Sequence, residues 1–146
     1  MKNNFSKLVI CFFFISFFSG CSIVDLRSSQ IPGSDLSKIN RFYVVHFAPD
    51  KRNLQNVIRD ELKEMGFQAD SGSESEIPND IDAIVTYEDR WFWDISNYMI
   101  QLNIEIRNPK TNYPIAIGES IRTSMARKSP NEMAREVLES IFKSKL

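Results

Sequence analysis

Two cysteines, one histidine and five glycines are all that the 146-residue chain offers to the chemistries that depend on them. Zinc sites take three or four His, Cys or carboxylate ligands. His46, alone in a run of apolar neighbours, is expected to be a packed neutral imidazole, and no metal site is expected. There is no G-x-S-x-G elbow, no G-x-G-x-x-G and no G-x-x-x-x-G-K-[ST] loop, so nucleophilic triads and phosphate cradles lose their usual signatures. Asp70-Ser71-Gly72-Ser73-Glu74-Ser75-Glu76 is acidic, but it lacks a calcium loop's Gly at position six and closing Glu at twelve, so a solvated loop is expected. Glu88 and Asp89 are neighbours in an extended run and project to opposite faces, which separates them for acid–base work. An excess of one charge is missing too. The 18 Lys and Arg face 19 Asp and Glu, a balance unlike that of a basic nucleic-acid binder. No catalytic residue is assigned, and an enzymatic role is not expected.

A long apolar run is also absent. Leu8–Phe18 is the longest and stops at eleven residues, whereas a helical membrane span needs about 20. Preceded by the basic Met1–Lys7 and followed by Ser19-Gly20, it reads as a secretory signal with a small-residue cleavage site. Six of the eleven phenylalanines lie in these first twenty residues, with two lysines and no acid. Beyond them 16 basic side chains face 19 acidic ones, a formal charge of −3.

Phe18-Ser19-Gly20-Cys21 resembles the lipobox of bacterial lipoproteins, in which Leu, a small residue and Gly or Ala precede the cysteine; Phe18 stands here at the Leu position. The resemblance implies that the Cys21 thiol receives a diacylglycerol, that residues 1–20 are removed, and that the new amine is acylated. No other cofactor is implied. Each buried methylene contributes about 0.8 kcal/mol, so two or three chains give stable anchoring. Cysteine arithmetic agrees with the resemblance. Cys11 leaves with the leader, so Cys21 remains as an odd thiol in an exported chain, which lipidation explains, and no disulfide is expected. Ser22 follows the cysteine; in the Gram-negative lipoproteins that this resembles, Ser there passes the protein to the outer membrane, facing the periplasm.

The expected organisation is a signal peptide at 1–20, the lipidated cysteine with a flexible tether at 21–38 and an α+β domain at 39–146. Ser28-Ser29, Pro32-Gly33 and Ser34 give the tether its character. Arg41–Phe47 is rich in aromatic and β-branched residues and reads as a strand. Asp50 is placed to cap a helix in which Leu54, Val57, Ile58, Leu62 and Met65 form one stripe, with Gly66 as its left-handed C-terminal residue. Phe67–Ala69 is a short strand, Asp70–Asp80 a loop and Asp82–Trp93 a strand. Tyr98, Ile100, Leu102, Ile104 and Ile106 alternate with polar residues and Met99, the clearest period of two in the chain. Asp94–Asn97 and Asn108–Asn112 are turns, Asn112 tolerating positive φ. Ile115–Met125 is the next strand, with Gly118 at a bulge or close packing site. Ser129-Pro130-Asn131-Glu132 opens the last helix with a capping box. The order β-α-(β)-β-β-β-α predicts an antiparallel meander with two helices on one face.

Two surface features stand out. Tyr87, Trp91, Phe92, Trp93 and Tyr98 surround the first turn of the meander, either as interface anchors or as a cap on the open end of the core. Arg122, Arg127, Lys128 and Arg135 form a basic set that reads as a solvated face, with an anionic headgroup or glycan as the alternative ligand. The span Tyr43–Phe142 resembles a family of small bacterial lipoproteins of no assigned activity, through YEDRWFWDISNYM (Tyr87–Met99), the Asn108–Asn112 turn and RTSMARKSPNEMARE (Arg122–Glu136). Its element order is similar to envelope modules such as the amino-terminal domain of TolB and the LpoB-type synthase activators. The expectation is therefore a lipoprotein anchored to the outer membrane, acting without catalysis as a binding or assembly module for an envelope protein partner. The membrane is met through the lipid, nucleic acid is not a partner, and no oligomeric state is implied. The alternative is a carrier holding a lipid or peptide between helices and sheet, and a hydrolase comes third. An exposed aromatic patch over a filled core favours the first; a large apolar cavity favours the second.

Overall fold

The computed structural model describes residues 24–143; the expected signal peptide at 1–20 and Cys21 lie outside the described residues. The strands are β1 (Val24–Gln30), β2 (Arg41–Val45), β3 (Gln68–Gly72), β4 (Ala83–Trp93), β5 (Asn97–Arg107) and β6 (Pro114–Arg122). The helices are α1 (Leu54–Glu64) and α2 (Pro130–Lys143). The six strands form one sheet in the order β1-β6-β5-β4-β2-β3.

The antiparallel meander is β4–β5–β6, as the alternation of apolar residues implies. β2 joins it in parallel with β4, and β3 joins β2 in parallel. The reason is α1, which carries the chain back along the sheet between β2 and β3 and so gives both strands one direction. The sheet is therefore mixed.

Both helices pack on each other and on one face. Ile58 and Leu62 of α1 meet Met133, Val137, Leu138 and Ile141 of α2 over Phe42, Val44, Val85, Leu102, Ile104 and Ile106 of the sheet, all buried. Each such side chain contributes about 1.5–3 kcal/mol on burial. Gly118 is a close packing site, since a Cβ there would stand 2.7 Å from Ile141 Cγ1 and 2.9 Å from Val137 Cγ1. α2 thus lies close against β6 only because that position carries no side chain.

The local signals at element ends hold. Ser129 Oγ and N both donate to Glu132 Oε2 at 2.8 Å, and Glu132 N donates to Ser129 Oγ at 3.3 Å, a closed capping box. Gly66 has φ of +93° after α1, and Asn112 has φ of 57° in its turn. Asp50 Oδ2 accepts the N–H of Leu54, the first residue of α1, at 2.6 Å.

Three expectations change. The flexible tether at 21–38 becomes, from Val24 onward, part of the fold. β1 pairs along its length with β6, and Leu36 is buried in a short 3-10 turn that Asp35 caps. The sequence VDLRSSQ has no apolar period because the backbone ladder holds this edge strand, with Ser28 Oγ donating to the Ser140 carbonyl at 2.9 Å. Asp70–Gly72, read as loop, completes β3 opposite Tyr43–Val45. Ile115–Met125 leaves the sheet after Arg122, and Ser124–Ala126 forms a 3-10 turn.

Candidate functional site: the aromatic hairpin

The β4–β5 hairpin contains a β-bulge that decides where its rings go. Arg90 is opposite Gln101, but Trp91 is opposite Met99, so one residue of β5 is skipped. The skip inverts the alternation. Leu102, Ile104 and Ile106 face the helices, but beyond the bulge Met99 takes that side, buried, while Tyr98 turns to the other. The unbroken series from Tyr98 to Ile106 therefore does not share one face.

Tyr87 and Tyr98, expected in a partner-binding cluster, are both buried. Tyr87 sits before the bulge, opposite Ile104, with its ring edge-on to Phe47. Its hydroxyl donates to Asp50 Oδ2 at 2.8 Å and accepts the Phe47 N–H at 3.3 Å; Gln55 Oε1 lies 3.2 Å away. Burial, reinforced by the Asp50 carboxylate, pushes the Tyr87 hydroxyl above its ordinary value. Asp50 also accepts the Arg52 N–H at 2.6 Å, so Tyr87 ties the start of α1 to the sheet. His46 belongs to the same cluster: it is half-buried, with Nδ1 3.2 Å from Gln55 Oε1. Tyr98 lies beneath Arg127, whose guanidinium is 3.9 Å from the ring centre, and edge-on to Phe92. These two tyrosines are structural.

Trp91 is half-buried. Its indole N–H donates to Asp89, and the Arg52 guanidinium stands 4.0 Å from its ring centre. Phe92 and Trp93 are exposed, at 53% and 67%. Ile95, which sequence reasoning passed over as a turn residue, is 94% exposed at the apex. Its signal was available: an isoleucine among Asp94, Ser96 and Asn97 has no packing reason to be in a polar turn. Asp94 holds the turn by accepting the N–H groups of Ile95 and Ser96 and the Arg127 guanidinium. Those contacts, led by the Ile95 N–H, hold its carboxyl below the usual range. Arg127 also donates to Ser96 Oγ at 3.1 Å.

The basic set does not form a free patch. Arg122 and Lys128 both pair with Glu136, Arg127 with Asp94, and Arg135 with Glu61 and Glu64. Burial acts to raise the Glu136 carboxyl, but Lys128, Ser120 and Arg122 together bring it below its ordinary value.

The space between helices and sheet, where a carried ligand would sit, is filled by the buried side chains of the core. A groove of about 430 Å³ lies beside Val45, Phe47, Ile84, Thr86, Tyr87, Glu105 and Arg107, and its lining is mixed, polar and apolar in near-equal share. Among the described residues no three His, Cys, Asp or Glu side chains converge as metal ligands, and no helix is long and apolar enough to cross a membrane. Glu88 is exposed and Asp89 half-buried on successive positions of β4.

The arrangement defines an α+β fold with two helices over one face of a mixed sheet and, at one end, a hairpin that exposes Phe92, Trp93 and Ile95. No protein-family model matches the chain, and no curated protein matches it in sequence. Among solved structures it is similar to a single-substitution variant of the PelC dodecamer from Paraburkholderia phytofirmans, at 11% identity and a TM-score of 0.61, covering 85% of this chain and 100% of that one. A PelC dodecamer from the same organism in a second crystal form gives 10% identity and 0.57 over 84% and 96% of the two chains. TolB from Acinetobacter baumannii gives 13% identity and 0.49, over 84% of this chain and 31% of that one. At these identities the likeness to PelC is one of fold.

Proposed function

We propose that this protein is an exported, lipid-anchored binding module of the bacterial envelope, held through Cys21 on the periplasmic face of the outer membrane and acting without catalysis. The observation that carries this reading is the hairpin tip. Phe92, Trp93 and Ile95 stand exposed on a stem whose base is buried and whose turn is clamped by Arg127. Exposed large apolar groups on a fixed support mark a contact surface. The interior is filled, which argues against the carrier. The lipobox supplies the anchor, and PelC, whose fold this chain shares, is a dodecamer, so the fold is compatible with assembly.

The test has two parts. Cys21→Ala is expected to leave the domain folded and release it from the membrane fraction; a variant that still sediments with membranes refutes the anchor. Trp93→Ala is expected to weaken crosslinking of the hairpin to whatever it meets in the native envelope, with a melting temperature close to that of the parent. A fall of many degrees would place Trp93 in the core and remove the contact surface.

A further inference from the structure

We infer that the hairpin tip docks into the interfacial layer of the bilayer that holds the lipid anchor, so that this membrane surface, and not a protein, is its occupant. The inference rests on the lipid-anchored reading of Cys21 and names what the exposed tip meets.

Strand register supplies the geometry. Asp25, Ile121, Gln101 and Arg90 form one row across β1, β6, β5 and β4. On one side of that row lie Val24, Arg122 and the tip, because β1 pairs antiparallel with β6 and β6 with β5. Trp91, Phe92 and Trp93 carry the hairpin about 10 Å past the row at roughly 3.3 Å per residue. Cys21 precedes Asp25 by four residues, which span at most about 14 Å. The anchored sulfur is thus confined to the neighbourhood of the sheet end from which the tip projects. A bilayer holding the acyl chains of Cys21 lies within reach of Trp93 and Ile95 without any further movement of the fold.

Side-chain chemistry points the same way. Of the eight large hydrophobic residues exposed among the described residues, Val24, Phe92, Trp93, Ile95 and, beside the Arg127 that holds the turn, Met125 are at this end; Leu26 is one step beyond the row on the other side, and Ile31 and Tyr113 are at the opposite end. Trp93 is suited to the headgroup boundary, where its apolar ring and its polar N–H edge are both satisfied, and Phe92 and Ile95 add apolar surface beside it. Asp94 is the sole acid of the turn, and Arg127 neutralises it, so the tip enters without an unpaired carboxylate. A second contact beside a lipid anchor fixes orientation as well as location, holding the long axis of β4 and β5 away from the membrane.

The experiment uses the full chain, processed and purified with its lipid, in vesicles of phosphatidylethanolamine and phosphatidylglycerol. Trp91→Phe leaves Trp93 as the single tryptophan. With acylation of Cys21 verified by mass, the Trp93 emission should move to shorter wavelength in vesicles. It should also be quenched by lipids brominated near the headgroup, and acrylamide quenching should fall at least about twofold. As a second variant in the native background, Ile95→Asp at its exposed apex should cut the brominated-lipid quenching by about half or more. Acylated protein whose Trp93 stays as open to acrylamide as in lipid-free solution overturns the docking and leaves the anchor standing. Shielding from acrylamide with no quenching by brominated lipid identifies a protein contact, a second copy included, and overturns it too. A bare Cys21 thiol overturns the anchored reading and this inference with it.

Discussion

Tyr87→Phe separates a structural aromatic from an interfacial one. The substitution keeps the ring against Phe47 and deletes only the hydroxyl, which donates to Asp50 Oδ2 at 2.8 Å and accepts the Phe47 N–H at 3.3 Å. A hydrogen bond to a charged group contributes about 1.5–3 kcal/mol net. Asp50 keeps its bonds from the N–H groups of Arg52 and Leu54, so the loss belongs toward the lower end, about 2 kcal/mol. For a domain of this size the melting temperature should fall by roughly 6–12 °C.

Alkaline pH gives an independent reading of the same bond. Burial and the Asp50 carboxylate raise the Tyr87 hydroxyl above its ordinary 10.0, so the fold favours the neutral phenol. Its contribution is full below pH 10.0 and is lost as pH rises through the folded-state value. Tyr87→Phe removes that dependence and should flatten the alkaline limb of stability against pH, leaving a smaller slope from Tyr43, which burial also raises. Urea unfolding followed by circular dichroism at neutral pH and above pH 10.0 checks both effects. A change under about 0.5 kcal/mol at neutral pH, with an unaltered alkaline limb, would refute the reasoning.

Two further perturbations follow from the packing. Gly118→Ala forces a Cβ against Ile141 and Val137, whose β-branched side chains have little room to turn, and should cost about 1–3 kcal/mol in a thermal melt. An unchanged melt would mean that α2 stands off from β6. Glu136→Gln leaves Arg122 and Lys128 without their carboxylate and should lose about 1.5–3 kcal/mol at pH 7. Because the Glu136 carboxyl is held below its ordinary 4.5, its contribution is present above that value and lost as pH falls; the variant should show a flatter acid limb in pH-dependent unfolding.

Much of the fold was legible because its signals are local. The apolar stripes of both helices, the Ser129–Glu132 box, Gly66 after α1 and Asn112 in its turn each depend on residues within four positions of one another. The lipid anchor at Cys21 is likewise a reading of adjacent residues, and it remains a proposal for the mass of the mature protein to test. The aromatic cluster was visible as a set, but its members were not sorted. One bulge opposite Arg90 and Trp91 sends Tyr98 under Arg127 and Met99 into the core, and a bulge leaves no composition signal here.

The amino-acid sequence by itself determined the helices, the turns, the meander and the chemistry available at the hairpin. Tertiary structure alone decided that β1 is a strand, that β2 and β3 run parallel, that the basic side chains are paired, and that Phe92, Trp93 and Ile95 remain outside. The physical reason is range. Periodicity and capping act between neighbours along the chain, whereas edge pairing, ion pairing and burial depend on partners such as Arg122 for Val24 or Glu61 for Arg135, which only the folded sheet and helices bring together.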